Sequence, residues 1–413
     1  MNKVYLDNAC TSFPKPPCVC DNVYNCLLKM TGSVNRGSYS KAYESEEVVY
    51  ETRKLLCSFF GGKNPRNVVF TSNVTESLNI ILRGFLESGD KVLISGFEHN
   101  AVMRTLTDIN ADIIAIPNAI SEESTYASEV SKEWITLFEQ HSLKAVVMTA
   151  ADNVFGQIMP INEIGKLCHR FGVKFILDTA QGAGSIPINM TDMNIDALAF
   201  TGHKGLLGPS GIGGFILTDE MVPLIKPLIT GGTGSVSHLL TMPEFMPDKF
   251  EAGTLNLPGI VGLKAGIEWI NETGLDAIRE KEINLMRRFI RGLLPLVESN
   301  SIEIPGYNIT SDIIKDCEVA KETTEFYDTH VSIVSIKAND FDQAEVAAKL
   351  DSEYGIMTRV GLHCNPKAHE RMGTYPEGTI RFSLGYFNTE DEIDMTITAL
   401  TTVIANAHRR THR

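Results

Sequence analysis

The chain has 413 residues, 43% of them hydrophobic and 21% charged, the balance of an ordinary globular protein. That length exceeds one small core, so two domains on a shared scaffold are expected. A net charge of −14 argues against a nucleic-acid partner, which needs a basic face, and no apolar run reaches membrane-spanning length.

In chain order, Tyr5-Leu-Asp-Asn-Ala-Cys-Thr-Ser12 reads as a short extended opening, stopped by Pro14, Pro16 and Pro17. Met1 to Pro17 holds no apolar core segment, so no signal peptide is expected. A helix is predicted over Ala42 to Phe60, with acids early and Arg53 and Lys54 late, as the helix dipole favours. Val68 to Thr71 reads as a strand. Asn73 with Glu76 then has the capping-box pattern, opening a helix to about Leu86. Such a helix start offers free amides to a phosphate, a weak signal alone. Further strands are predicted at Lys91 to Ser95, Ile113 to Ile116, Ala145 to Thr149 and Val173 to Asp178, with a helix over Ile161 to Phe171. This alternation predicts a mainly parallel sheet flanked by helices.

Asp196 to Phe200 reads as a buried strand that runs into Thr201-Gly202-His203-Lys204 and a glycine-rich return. A helical segment is predicted from about Ile260 to Glu298. Strands at Val331 to Ile336 and Ile380 to Leu384 follow, with a helix over Asp342 to Tyr354 and another from Thr389. Thr389 with Glu392 repeats the capping box. Tyr307 to Tyr327 is polar and reads as a surface insertion. The expected division is residues 1–30 as an N-terminal segment serving the small domain and the active site, 31–262 as a large domain, and 263–413 as connecting helix plus small C-terminal domain. Eight cysteines are scattered without a disulfide framework, as expected in a reducing cytosol. Cys18-Val-Cys20 lacks a second ligand pair at metal spacing, so no metal is expected.

A lysine at a strand end is odd, because its ammonium is costly to bury. It reads either as a loop lysine or as one kept for amine chemistry with a carbonyl. Asp178, at the end of an earlier strand, favours the second reading. Ligands gather at the carboxyl ends of parallel strands, and an acid and a lysine there suit pyridoxal 5′-phosphate (PLP): the lysine holds the aldehyde and the acid pairs with the pyridinium nitrogen.

Asp178-Thr-Ala-Gln181 followed by Thr201-Gly-His-Lys204 resembles the D-x-A-Q and S/T-G-H-K pair of the class V aminotransferase superfamily. More narrowly it resembles the Suf-type cysteine desulfurases and their selenocysteine lyase relatives, from Tyr5 to about Ala399. The resemblance implies an α/β fold, the aspartate aminotransferase-like fold type I of PLP-dependent transferases, with a smaller α+β C-terminal domain. It implies that Thr75 and Glu76, in place of a T-T-E motif, lie at the phosphate, with Gln181, Thr201 and His203 also on the cofactor. His99 matches a histidine that stacks on the pyridine ring and moves protons. Asn153 matches an asparagine bonded to the ring oxygen and lies beside substrate. Thr254, in Phe250-Glu-Ala-Gly-Thr-Leu-Asn256, would contact the partner subunit's cofactor phosphate, and Arg36 would reach the neighbouring active site. A homodimer with shared sites follows. Cys10 stands where the family usually has alanine, and reads as a small hydrophobe or as a second reactive thiol.

Several PLP reactions remain open on these residues. Arg359-Val-Gly-Leu-His-Cys364 resembles the R-x-G-x-H-C motif whose cysteine receives sulfur as a persulfide, and Arg381 fits the arginine that clamps the substrate carboxylate. Arg359 and His363 are expected to help charge the Cys364 thiol. The expected reaction converts L-cysteine to L-alanine with sulfur moving to Cys364 and on to an acceptor protein. Lys204 and His99 handle the protons. Selenocysteine lyase, another class V reaction with an idle Cys364, or a non-catalytic scaffold are the alternatives.

Overall fold

The computed structural model describes residues 3–30, 34, 37, 39–116, 132–307 and 328–411. Its strands, in chain order, are β1 (Val4–Tyr5), β2 (Val68–Thr71), β3 (Lys91–Ile94), β4 (Asp112–Ala115), β5 (Ala145–Thr149), β6 (Lys174–Asp178), β7 (Ala197–Thr201), β8 (Gly213–Leu217), β9 (Ile302–Glu303), β10 (Ile333–Ala338), β11 (Ile356–Met357), β12 (Arg359–Gly361) and β13 (Thr379–Ser383). The helices are α1 (Pro17–Lys29), α2 (Ser40–Phe59), α3 (Val74–Phe85), α4 (Asn100–Ile109), α5 (Lys132–Gln140), α6 (Ile161–Phe171), α7 (Leu257–Thr273), α8 (Leu275–Glu298), α9 (Gln343–Tyr354), α10 (Pro366–Arg371) and α11 (Glu390–Thr411). No helix among the described residues is long and apolar enough to cross a membrane.

Seven strands form the main sheet in the order β2-β8-β7-β6-β5-β3-β4. β7, β6, β5, β3 and β4 run parallel; β8 lies antiparallel to both β2 and β7. All residues of β2, β5, β7 and β8 are buried, the apolar-on-both-faces pattern of a sheet covered by helices. The parallel strands end on one edge, which therefore collects Asp178 of β6, Thr201 of β7 and the turns after β3 and β5. The second sheet is antiparallel, in the order β12-β13-β10-β9. Its core includes Phe289, Val334, Ile336, Ile380 and Phe382, together with Val4 and Leu6 from the far N-terminus.

Local signals account for the element ends. Asn73 caps α3 by accepting from the Glu76 amide at 3.0 Å, and α11 begins with a reciprocal box between Thr389 and Glu392. Three expectations change. The Glu76 carboxylate accepts from the Ser72 amide at 2.7 Å, one residue earlier than a capping box requires. Arg53 does not serve the α2 dipole. It is buried in a two-armed ion pair with Glu251, which also accepts the Phe70 amide at 2.8 Å. The single helix expected from Ile260 to Glu298 is two, because Gly274 at φ 89° ends α7 and starts α8. Of the insertion Tyr307 to Tyr327 only Tyr307 is described, and Arg36 lies outside the described residues.

Candidate active site

The N-terminal segment is a strap from the small sheet to the Lys204 turn. β1 pairs with β11, and the Asp7 carboxylate meets Arg381 of β13 at 2.8 Å. The Ala9 carbonyl accepts from Gln181 Nε2 at 2.9 Å. Ser12 then donates its amide to the His203 carbonyl at 3.0 Å and its hydroxyl to the Lys204 carbonyl at 2.9 Å. Lys15 Nζ adds bonds to Ser12 Oγ at 2.6 Å and to the His203 carbonyl at 2.7 Å. The backbone before and at Lys204 is thus fixed from outside its own loop.

Lys204 is the third residue past the end of β7 and is partly buried. Burial pulls its amine down to about 8, against the opposing pull of Asp178. Asp178 is 2% exposed, and its carboxylate accepts from the Ala180 amide at 2.9 Å. Burial raises its pKa; the Ala180 amide and the Lys204 charge work the other way. His99 caps α4, with Nδ1 accepting from the Ala101 amide at 3.0 Å. That bond puts the neutral ring's proton on Nε2. Burial, then the Lys204 charge, lowers the His99 pKa to about 4.

Three polar atoms here are buried and find no hydrogen-bond partner among the described residues: Thr201 Oγ1, His203 Nδ1 and Arg381 Nε. Buried polar groups are normally satisfied, so such atoms mark places where something else bonds. Thr201 and His203 sit on the Lys204 turn, and the α3 start lies close by. A Cβ on Gly213, which pairs with both Thr201 and Thr71, would come within 2.7 Å of the Asn73 Cα. Glycine is needed for that approach. A hydroxyl, an imidazole nitrogen and a helix start suit a phosphate, and a buried acid beside a lysine suits a pyridine aldehyde. The residues present fit PLP. Thr75 is exposed on α3, and Glu76 and exposed Thr254 line one groove together with Thr71 and Ser72.

The Cys364 loop docks on the main sheet. His363 and Cys364 take φ values of 50° and 59°, a left-handed pair rare for residues with side chains and costly unless held. It is held: the His363 carbonyl accepts from Asn153 Nδ2 at 2.8 Å and the Cys364 carbonyl from the Asn100 amide at 2.9 Å. Cys364 itself is exposed. Arg381, 2% exposed, donates to the Asn153 carbonyl at 2.8 Å as well as to Asp7, leaving Nε for another anion.

Two expectations are corrected. His363 is buried, its Nε2 lies 3.2 Å from the Thr379 carbonyl, and burial holds its pKa well below the ordinary value. It is neutral and cannot charge the thiol. Nor is Cys10 a plain hydrophobe: it is half-buried and accepts from Arg359 Nη1 at 3.1 Å. Sequence reading gave no role of their own to Asp7, Lys15, Glu98 and Asp152. Glu98 and Asp152 are fully buried acids, binding the Ser95 and Gly96 amides and the Val154 and Phe155 amides respectively. Their only sequence signal was an acid beside His99 or Asn153 just past a strand end.

The model of the aminotransferase class V family matches residues 4–396. The chain belongs to that family. Among class V aminotransferase relatives, it is 30% identical over 403 residues to a probable cysteine desulfurase of Pyrococcus abyssi, covering 95% of this chain and 92% of that one. The structure matches the apo cysteine desulfurase of Thermococcus onnurineus NA1 with a TM-score of 0.81 and 28% identity, over 98% of this chain and 95% of that one. A second match, the cysteine desulfurase CsdA of Escherichia coli, has a TM-score of 0.78 at 22% identity, over 98% and 95% of the two chains, and speaks to the fold alone. The fold is accordingly that of the class V, fold type I PLP enzymes.

Proposed function

We propose that this protein is a PLP-dependent cysteine desulfurase that moves sulfur from L-cysteine to Cys364. The observation that carries the proposal is the Cys364 loop. An exposed thiol stands on a strained left-handed turn, pinned through both carbonyls to Asn153 and Asn100, with the Arg359 guanidinium 4.0 Å from its sulfur. An idle cysteine has no need of such support.

Bound PLP supplies the electron sink that lets charge develop at the substrate carbons. Lys204 would hold its aldehyde, Asp178 its ring nitrogen, and Thr201, His203, Gln181, Thr75 and the α3 amides the rest. With an amine near 8, Lys204 exchanges protons close to neutrality, which a fully solvated lysine does not. His99, neutral with its proton on Nε2, donates rather than carrying a fixed charge. The free Nε of Arg381 provides a charge-assisted bond for the substrate carboxylate, orienting the side-chain sulfur. Arg359 Nη2 points to Cys364 Sγ at 4.0 Å, a donor for that sulfur as it reacts. Substrate cysteine and the Cys364 thiol then become alanine and a Cys364 persulfide, with every atom accounted for and no outside oxidant.

A homodimer belongs to the same reading. It is supported by exposed Tyr24, Leu27 and Leu28 on α1 and Tyr43 and Tyr50 on α2, and by the exposed position of Thr254. That residues 1–30 serve the small domain is supported by Val4 and Leu6 packing with the small sheet, whereas α7 packs in the large core through Ile270, beyond the expected division at 262. An acceptor protein for the persulfide and a reducing cytoplasm, suited to free thiols, complete the assignment. The test is alanine and sulfide release by the PLP-loaded protein from L-cysteine and from selenocysteine. Turnover of cysteine is expected; turnover of selenocysteine alone would make it a lyase.

A further inference from the structure

Arg359 carries two thiols on one guanidinium. Nη1 donates to Cys10 Sγ at 3.1 Å and Nη2 points to Cys364 Sγ at 4.0 Å. The two sulfurs differ in place. Cys364 is exposed at the tip of its loop, while Cys10 is half-buried on the strap. The residues around Cys10 are tied to the reacting side of the site, Ala9 to Gln181 and Ser12 to the Lys204 carbonyl.

We propose that Cys10 is a second sulfur carrier, taking the sulfur of substrate cysteine inside the site and passing it to Cys364 at the surface. The inference rests on the desulfurase reading and adds a step to it. The Cys10 thiolate attacks the substrate sulfur, an S–S bond forms and the C–S bond breaks. The C–S electron pair stays with the substrate carbon, which takes up a proton to become the methyl of alanine. The Cys364 thiolate then attacks the outer sulfur of the Cys10 persulfide. A new S–S bond forms on Cys364, and the old pair returns to Cys10 as thiolate. One sulfur moves twice; the two-electron oxidation that makes the persulfide is matched by reduction of the substrate carbon to a methyl, so no other oxidant or reductant is needed. Arg359 lies between the two sulfurs and presents one guanidinium arm to each, so a single side chain orients donor and acceptor of the transfer.

The experiment uses PLP-loaded Cys364→Ala and Cys10→Ala proteins given L-cysteine, quenched rapidly, alkylated and mapped by peptide mass. Alanine is the residue the resembling family carries at position 10, so that variant keeps the fold. The Cys364→Ala protein is expected to give a single burst of alanine and then stall, with one extra sulfur on the Cys10 peptide. The Cys10→Ala protein is expected to load Cys364 at least about tenfold more slowly than the wild type. The proposal is overturned if Cys364→Ala gives no burst and no sulfur on Cys10 while Cys10→Ala loads Cys364 at the wild-type rate. A wild-type protein that forms no alanine at all would instead remove the desulfurase reading beneath it.

Discussion

The Asn100 amide donates to the Cys364 carbonyl at 2.9 Å. Asn100 opens α4 and follows His99, which caps the same helix. One helix start therefore holds both the His99 imidazole and the Cys364 loop, although they belong to opposite halves of the chain.

Asn100→Pro isolates that link. Proline is tolerated at the first helical position, and His99, at φ −62° and ψ 154°, already has the extended geometry that precedes it. The helix should survive and the amide vanish. Sulfur loading of Cys364 should slow by up to about tenfold, the effect of one hydrogen bond worth about 0.5–1.5 kcal/mol. Retained PLP absorbance would show that the site is otherwise whole; unchanged loading kinetics would refute the coupling.

The pH behaviour of Lys204 follows from its neighbours. In PLP-free protein its amine should react with an acylating reagent along a curve centred near 8. Asp178 raises that value and Arg381 lowers it, so Asp178→Asn should shift the midpoint down and Arg381→Met should shift it up. Shifts in the reverse sense, followed by peptide mass, would contradict the electrostatics described.

Asp178→Asn should also impair turnover of the loaded enzyme. A neutral amide cannot hold a pyridinium proton by charge, and removing such a partner typically slows a reaction on the order of 10²–10³-fold. Steady-state alanine formation measures it, and near wild-type rates would mean another acid has the role.

The pair of Arg53 and Glu251 should govern stability. Both side chains are nearly inaccessible, 5% and 6% exposed, so removing one partner leaves a buried charge. Arg53→Met alone is expected to destabilise by about 3–5 kcal/mol, and the double change Arg53→Met with Glu251→Leu by clearly less. Denaturant unfolding of both single variants and the double decides it; a double-variant loss equal to the sum of the two single losses would mean the charges are not coupled.

What could be read in the sequence was local. Lys204, Asp178 and His99 sit within a few residues of apolar strands, and the Thr389 cap is complete within four residues. The Arg359–Cys10 contact joins residues 349 apart, and Arg53 finds Glu251 across 198. No spacing rule reaches that far. His363 was misjudged because its charge depends on burial, which only the packed loop defines. The break at Gly274 was overlooked because the apolar pattern continues on both sides of one glycine.

The most direct measurement of the central claim is steady-state alanine formation from L-cysteine by Cys364→Ala, alongside peptide mapping of the wild-type protein after turnover. The account predicts an extra sulfur on the wild-type Cys364 peptide. It predicts a variant that binds PLP normally but whose sustained turnover falls to near background, because nothing carries sulfur out of the site. Full sustained turnover by Cys364→Ala, with no sulfur on the wild-type Cys364 peptide, would contradict it.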